Sequence, residues 1–284
     1  MSLSTSNRPY RALEPSRSGI VARWIWLSAA GLLCFFPFYA MIVLSLKPGL
    51  AVEFPSSLLP WGLSVDSYAQ VLGGKKILQW LVNTLVYSVV SVVAVLFFSA
   101  LAGYAFAKKR FPGKEALFWS FIAMVMVPFH VTLIPMFIFM AKVGGVDTYW
   151  GLILPSLANA QAVFLMRQFI QGLPDELFEA AKIDGAGEFR IFWQIVLPLC
   201  RPILATLGIF VFLWHWNDFL WPLIIGRSSD MWTLTVGIQS LHAEAVPLSV
   251  RLAGSVVALV PIFLVYLIAQ RHVQEGVAAS GIKG

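Results

Sequence analysis

Long stretches without acidic or basic residues dominate this sequence and constrain what it can fold into. A bilayer core is crossed by about 20 apolar residues in a helix, which advances by about 1.5 Å per residue. Six stretches are long enough, and a single charge, Asp218, interrupts the fifth. The sequence therefore predicts an all-α integral membrane protein with six transmembrane helices, at residues 24–46, 81–107, 116–141, 148–166, 202–226 and 252–270.

The composition excludes the common soluble classes of protein. Hydrophobic residues make up 59% of the 284 residues and charged residues only 12%, whereas a soluble domain carries about 25% charged residues. An ordinary globular enzyme, a disordered tail and a nucleic-acid-binding module are therefore excluded. The net charge of +6 is small for a chain of 284 residues, so it does not indicate a polyanionic partner. A membrane protein also needs basic residues to orient its loops.

Lysine and arginine residues are unevenly distributed among the loops, and this predicts the orientation. With the N-terminus in the cytoplasm, 14 of the 20 basic residues lie on the cytoplasmic side and 6 outside, as the positive-inside rule requires. The first stretch exceeds a typical signal-peptide core and no A-x-A site follows it, so we expect it to be retained. Both termini are therefore predicted to lie in the cytoplasm, at residues 1–23 and 271–284. Between them the sequence predicts an external loop at 47–80 and a core at 81–270. The core includes a cytoplasmic loop at 167–201.

Sequence signatures of catalysis or cofactor binding are missing. The chain has no G-x-x-x-x-G-K-[ST] phosphate loop and no H-E-x-x-H or G-x-S-x-G pattern. Cys34 and Cys200 match no metal or redox spacing, so we interpret them as free thiols. We expect no metal, no cofactor and no enzymatic activity in this chain itself.

The cytoplasmic loop at 167–201 holds nine of the 34 acidic and basic residues, which indicates a soluble partner. The sequence predicts a helix over 174–184, because Pro174 suits a first helical turn and the acidic residues after it suit the positive end of the helix dipole. Gly185 predicts the end of this helix, since glycine tolerates the left-handed conformation. The alternative interpretation, an amphipathic helix lying on the membrane, usually comes with a basic polar face, whereas this one is acidic.

A second amphipathic stretch follows at 188–196, with apolar residues at helical spacing. We expect the prolines in Leu197-Pro198 and at Pro202 to break the chain before the fifth span.

This loop resembles the EAA loop of ABC importer permeases. The resemblance rests on Glu179-Ala180-Ala181-x-x-Asp184-Gly185-Ala186, followed by Phe192, Ile195 and Leu197-Pro198. Two further segments, 216–223 and 276–284, are similar to carbohydrate-importing members. From about residue 80 onward, most of the chain is similar to the smaller maltose-type permease, and the resemblance is weakest at residues 1–75. The resemblance implies a type I importer permease whose loop serves as the coupling helix.

Further expectations come from the same resemblance. It implies a homologous second permease in a heterodimer, two ATPase subunits that bind ATP and Mg, and an extracytoplasmic solute-binding protein. It also implies a bacterial inner membrane and import of a carbohydrate by alternating access. A glycerol phosphate derivative or another polyol is the alternative cargo for the same class of importer.

The fifth span carries candidate residues for the translocation path. An ionisable group inside a membrane usually faces a cavity or a partner, and His215 precedes Asp218 by three positions, which places both on one helical face. Sugar binding needs hydrogen-bonding groups beside flat apolar rings; the candidates are Trp214, His215, Asn217, Asp218 and Trp221, with His130 in the third span. Two structural interpretations stay open: tryptophans at the membrane boundary, and contacts of Asp218 or His130 with neighbouring helices.

Two rival functions are less well supported. An ion-coupled secondary transporter usually has internal repeats and several intramembrane charges, whereas we find no convincing repeat and only Asp218. A membrane-embedded enzyme would need converging catalytic groups, and no second acid accompanies Asp218 inside a span.

Overall fold

The computed structural model describes the backbone of residues 17–48, 55–243 and 246–281. Residues 1–16 of the predicted N-terminal segment, 49–54 of the predicted external loop and the last three residues of the predicted tail lie outside the described residues. Within the described ranges, every regular element is a helix. The α-helices are α1 Arg17–Ser45, α2 Asp66–Gly73, α3 Lys75–Lys108, α4 Lys114–Ala123, α5 Phe129–Lys142, α6 Tyr149–Ile153, α7 Ala160–Gln171, α8 Glu176–Ile183, α9 Glu188–Ile191, α10 Leu197–Leu199, α11 Arg201–Asn217, α12 Leu220–Ile225, α13 Leu234–Ala243 and α14 Leu248–Gly281.

Three segments among the described residues are single helices long and apolar enough to cross a membrane: Gly19–Ser45, Lys76–Lys108 and Leu248–Leu267. Three more candidates are helix pairs bent at a short break, by 103° between α4 and α5, by 47° between α6 and α7, and by 75° just before α11. Up to six spans result if each bent pair is counted once. The chain order of these six candidates follows that of the six charge-poor stretches, and the exact limits of the spans stay predictions.

Prolines account for the bends in the first two pairs. Pro128 precedes α5 in an extended conformation, and a proline ring disfavours helical backbone in the residue before it. Pro155 lies in a short 3-10 helix, Leu154–Ser156, between α6 and α7. Pro37, Pro135 and Pro261, in contrast, lie inside helices.

Helix α3 is the central element of the bundle, and it packs along both α7 and α11. Gly103 allows the close approach to α7, because a Cβ atom built on it would lie only 2.7 Å from Met166 Cβ. Gly103 belongs to a row of small residues, Ser99, Gly103 and Ala107, which predicts such packing from the sequence. At 34 residues, α3 is about 50 Å long, so it reaches from one end of the bundle to the other.

The N-terminal end of α3, which the sequence predicts to lie outside, is hydrogen-bonded to the segment that follows α12. Trp80 Nε1 donates to the Ser229 carbonyl over 2.8 Å, and Asn83 Nδ2 donates to the Asp230 carbonyl over 2.7 Å. The hydroxyl of Thr84 accepts a hydrogen bond of 2.7 Å from the backbone N–H of Leu234. These contacts join a helix near the start of the core to a segment almost 150 residues later.

Large apolar side chains remain exposed on the outside of the helices. Examples are Trp26, 77% exposed, Leu33, 76% exposed, and Ile134, 69% exposed. Such surfaces are stable in contact with lipid tails or with another membrane subunit, but not with water. They support the prediction that lipid surrounds the chain.

The expectation of one continuous helix over 202–226 is wrong. Helix α11 ends at Asn217, Asp218 has an extended backbone with φ −63° and ψ 129°, and α12 begins at Leu220. The carboxylate of Asp218 faces the first backbone N–H groups of α12, an arrangement that stabilises a helix N-terminus. The acidic side chain therefore supports the start of α12.

Candidate functional site

Helix α8, the main helix of the predicted cytoplasmic loop, ends in a glycine turn. The carbonyl of Ala181 accepts a hydrogen bond of 2.9 Å from the N–H of Ala186, and that of Lys182 accepts one of 3.0 Å from Gly185. This pair of bonds is the Schellman motif, which requires a left-handed residue at the position of Gly185. Gly185 has φ +75°, so the helix stops where the sequence predicts.

The second helical stretch of the loop, predicted over 188–196, ends later than the sequence predicts. Helix α9 continues through a π-helical segment, Phe192–Val196, into α10, so Leu197-Pro198 does not interrupt the helical path. A π segment has a wider hydrogen-bonding pattern, and here it accommodates a proline that cannot donate to the preceding turn. The break lies at Cys200, immediately before α11.

Helix α8 divides the loop residues between a buried and an exposed side. Phe178 and Ala181 are buried. The other side is open to solvent, and Ile183 at its tip is 86% exposed. Half of the eight coupling residues predicted from the EAA resemblance lie on the open side: Glu179, Ala180, Asp184 and Gly185 are exposed, Ala181 is buried, and Ala186, Leu197 and Pro198 are half-buried.

Aromatic side chains hold the buried side of the loop against α3. The ring of Tyr104 stacks on Phe178 and lies beside Phe192, with centroid distances of 6.1 Å in both cases. Ile191 and Val196 are fully buried in the same cluster. The loop is thus a packed part of the core with one exposed edge.

Two consecutive lysines at the end of α3 add polar contacts to both helices of the loop. Lys108 Nζ donates to Asp175 Oδ1 over 2.6 Å and to the Leu173 carbonyl over 2.7 Å. Lys109 pairs with Glu188, which also accepts a hydrogen bond of 3.0 Å from the Tyr104 hydroxyl. From the sequence alone these lysines predict only orientation, because their partners lie more than 60 residues away.

The ion pair at the start of α8 favours the charged form of the acid. The hydrogen bond from Lys108 and its positive charge hold the pKa of the Asp175 carboxyl below its usual value. The carboxylate therefore stays ionised at neutral pH and keeps its contact with α3.

A second polar cluster surrounds the break between α11 and α12. The Tyr87 hydroxyl donates to Asp218 Oδ2 over 2.9 Å, and the Tyr87 ring meets the His215 ring edge-on at a centroid distance of 4.9 Å. His215 and Asp218 are therefore close through Tyr87, and not along one helical face as the spacing predicted, because the helix ends at Asn217. Tyr87 is absent from the sequence-based candidates, since nothing in its surroundings in the sequence marks it.

His215 is buried, and only one of its two ring nitrogens has a hydrogen-bond partner among the described residues. Its Nδ1 lies 2.7 Å from the Val211 carbonyl; since a carbonyl can only accept, Nδ1 carries the proton of that bond. Its Nε2 is buried and has no hydrogen-bond partner among the described residues. Such an atom is available to a water molecule or to a rearranged neighbour.

The remaining path candidates lie in different environments. Trp221 is buried, and its Nε1 donates to the carbonyls of Gly151 and Leu152 over 3.2 Å. Trp214 is 69% exposed, and Asn217, also exposed, donates to the Leu213 carbonyl. His130 is exposed on α5, next to the ring of Phe129.

The sequence matches the family described as "Binding-protein-dependent transport system inner membrane component" over residues 95–278. The arabinooligosaccharides transport system permease protein AraQ of Bacillus subtilis is 35% identical over 269 residues, which cover 93% of this chain and 96% of the relative. The sn-glycerol-3-phosphate transport system permease protein UgpE of Yersinia pestis bv. Antiqua is 35% identical over 271 residues, covering 90% and 95%.

Solved structures share the fold. A chain in the crystal structure of a bacterial ABC transporter involved in the import of the acidic polysaccharide alginate matches with a TM-score of 0.78 and 24% identity, over 90% of this chain and 98% of that chain. A chain of the bacterial alginate ABC transporter in complex with an alginate pentasaccharide-bound periplasmic protein matches with a TM-score of 0.57 and 14% identity, over 90% and 96%. At these identities the matches show the fold alone.

The family and the fold confirm several expectations from the sequence. The protein is an all-α, multi-pass permease of the inner membrane and a transport subunit rather than an enzyme, and ATP is hydrolysed on partner subunits. It acts in a binding-protein-dependent ABC transporter. The chain belongs to the family of binding-protein-dependent transport system inner membrane components, the permease subunits of ABC importers.

Proposed function

We propose that this chain is one of two homologous permeases that form the translocation path of a carbohydrate importer in a bacterial inner membrane. The observation that carries this proposal is the exposed tip of a firmly packed loop. Ile183 is 86% exposed at the end of a helix whose other side is buried against α3. An apolar side chain so placed on the cytoplasmic side fits a groove on a soluble subunit.

The exposed side of this loop is the proposed binding site for an ATPase subunit. Two ATPase subunits bind beneath the two permeases, one of them at the residues of α8 and its turn that are not buried: Glu179, Ala180, Asp184, Gly185 and Ala186. Buried Ala181 packs this helix on the core, and Leu197 and Pro198 lie in the helical segment that leads back to α11. The absence of a side chain on Gly185 and the small side chain of Ala180 allow a close approach of the ATPase surface. Both termini of the permease lie in the cytoplasm, and the solute-binding protein delivers the cargo from outside.

An oligosaccharide is the favoured cargo. The name of the AraQ relative refers to arabinooligosaccharides, and the structural matches come from an importer of the polysaccharide alginate. Glycerol 3-phosphate is the second candidate, because the UgpE relative is equally similar at 35% identity. A trisaccharide and a small phosphate ester differ enough in size and charge for one binding assay to separate them.

The translocation path would pass the break between α11 and α12. Exposed Trp214 offers an apolar ring and exposed Asn217 offers an amide, one position before the extended backbone at Asp218. Asp218, His215 and Trp221 would support this surface from behind, and His130 would contribute from α5. Stacking on rings together with hydrogen bonds to side chains is a chemistry that suits sugars.

The cargo is tested with the solute-binding protein of the same transporter. Isothermal titration with arabinotriose, maltotriose, an alginate trisaccharide and glycerol 3-phosphate should give micromolar or tighter binding for an oligosaccharide only. Tight binding of glycerol 3-phosphate alone would overturn the carbohydrate assignment. Uptake by proteoliposomes that contain both permeases and the ATPase should then require ATP, and uptake without the ATPase would refute the importer mechanism.

A further inference from the structure

We infer that Lys108 and Lys109 are positioning residues that fix the ATPase-docking loop to α3 at two points, so that the loop and α3 move as one body. This inference rests on the proposed docking of α8 on an ATPase subunit. It adds a specific mechanical connection from that loop to the helix at the centre of the bundle.

The two lysines hold different helices of the loop. Lys108 contacts Asp175, the residue immediately before α8, and Lys109 contacts Glu188, the first residue of α9. The exposed turn with Gly185 lies between these two attachments in the sequence. Two polar contacts on separate helices fix the direction of the packed loop at two points, whereas one contact would fix it at only one.

Charge and helix polarity agree at both attachments. The lysines stand at the C-terminal end of α3, where a helix dipole favours cations, and the acids stand at the N-terminal ends of α8 and α9, where it favours anions. Each lysine also lies over an aromatic ring of the same cluster: Lys108 is 5.0 Å from the Phe178 centroid and Lys109 is 4.6 Å from that of Tyr104. The rings thus help to hold the ammonium groups in place.

The exposure of these side chains indicates a role in positioning and not in overall stability. Lys108 is 10% exposed, but Asp175 is 76% and Glu188 is 60% exposed. Exposed ion pairs add little to folding stability, so apolar packing must already fold the loop. What the pairs add is a fixed direction for the loop relative to α3.

Helix α3 is suited to transmit a movement of the loop. It is unbroken over 34 residues, while three of the other candidate spans are bent pairs. Its far end is hydrogen-bonded to the external segment near Ser229 and Leu234. A displacement at Lys109 therefore reaches that segment through one rigid element.

A matched ion pair serves as the control. Glu115 is 57% exposed and pairs with Arg167 over 2.9 Å, which resembles the exposure of Glu188, but it joins α4 to α7 and not to α8 or α9. Substituting Glu115→Gln removes a comparable charge from the same side of the protein.

The test measures whether the loop and α3 move together in the assembled transporter. Nitroxide labels are placed at Glu176 on α8 and Val93 on α3, both exposed, after Cys34→Ser and Cys200→Ala remove the native thiols. Pulsed electron spin resonance then gives the label distance in nucleotide-free and vanadate-trapped complexes. We expect one narrow distribution in both states for the labelled parent and for Glu115→Gln.

The double variant Asp175→Asn with Glu188→Gln should broaden that distribution and shift it between the states, with an unchanged thermal unfolding midpoint. Charge exchange, Lys109→Glu with Glu188→Lys, should restore the narrow distribution relative to either single change. A double variant that keeps the distribution of the parent would overturn the positioning role. If the unaltered chain recruits no ATPase subunit, the proposed docking fails instead, so the two failures are distinguishable.

Discussion

Tyr87 on α3 donates a hydrogen bond of 2.9 Å to the carboxylate of Asp218, 131 positions later in the chain. The bond ties the middle of the bundle to the point where α11 ends and α12 begins. The only charged residue of the predicted fifth span therefore has a partner on a neighbouring helix. This contact agrees with the interhelical interpretation of Asp218 and leaves the exposed side of the break for the proposed path.

Replacing Tyr87 should weaken the bundle at this break. Tyr87→Phe keeps the ring but leaves the carboxylate without its side-chain donor, and such a loss costs about 1–2 kcal/mol. The free energy of unfolding, measured by dodecyl sulfate titration in mixed micelles, should fall by that amount. Tyr266→Phe, a change at a ring that is 57% exposed, is the control, and an equal loss there would show that the hydrogen bond is unimportant.

Gly185 should tolerate asparagine better than alanine. Its φ of +75° disfavours a Cβ atom by about 1–2 kcal/mol, and asparagine adopts this conformation more readily. Gly185→Ala should therefore lower the amide hydrogen-exchange protection of α8 in the purified permease more than Gly185→Asn. The control is Gly187→Ala, because Gly187 has φ −70° and an added Cβ would meet nothing within 4 Å.

A bulky or charged residue at Gly185 tests docking instead of backbone strain. Gly185→Asp should reduce ATP-dependent uptake further than Gly185→Asn, since aspartate introduces a charge at the proposed interface. Normal uptake and normal ATPase coupling with aspartate would mean that this turn does not dock.

The attachment of α8 to Lys108 should be insensitive to pH around neutrality. The pKa of Asp175 is lowered, so the stabilisation is present above the usual carboxyl pKa and is lost only as pH falls through the lowered value. Amide hydrogen exchange of α8, corrected for intrinsic rates, should show constant protection between about pH 5 and 8. A loss of protection with a midpoint inside that window would assign control of the attachment to another group.

Gly103 should be intolerant of even one added carbon. The Cβ of alanine would lie 2.7 Å from Met166 Cβ and 3.0 Å from the Arg167 backbone nitrogen, and overpacking of this kind costs about 1–3 kcal/mol. Gly103→Ala should lower the thermal midpoint of the purified complex. Gly208→Ala, whose Cβ would lie 3.4 Å from Leu96 Cδ1 and 3.9 Å from Val92 Cγ1, should change it little, because both distances are ordinary van der Waals contacts. Similar losses at both sites would contradict close α3–α7 packing.

Local features of the fold were accessible from the sequence. Gly185 ends α8 because its neighbours form a short amphipathic helix and glycine alone takes the left-handed turn without strain. The small residue Gly103 likewise marks a close helix contact. In both cases the determining interactions lie within a few residues or follow from residue size.

Other features depend on contacts between residues far apart in the sequence, so local sequence patterns do not predict them. Counting charges gives a continuous stretch at 202–226, but the backbone breaks at Asp218, where the carboxylate faces Tyr87 and the start of α12. Lys108 and Lys109 look like orienting charges until the fold brings Asp175 and Glu188 beside them. The exposure of Trp214 and the burial of His215, its neighbour, also depend on how α11 packs.

Docking of α8 on an ATPase subunit is tested most directly by photo-crosslinking from Ile183. A benzophenone amino acid at this position, 86% exposed, is irradiated in the assembled transporter, and the same group at Val93, 64% exposed on α3, is the control. We predict an adduct with the ATPase subunit from Ile183 and none from Val93. Intact complexes that give no ATPase adduct from Ile183, with or without ATP, would contradict the account.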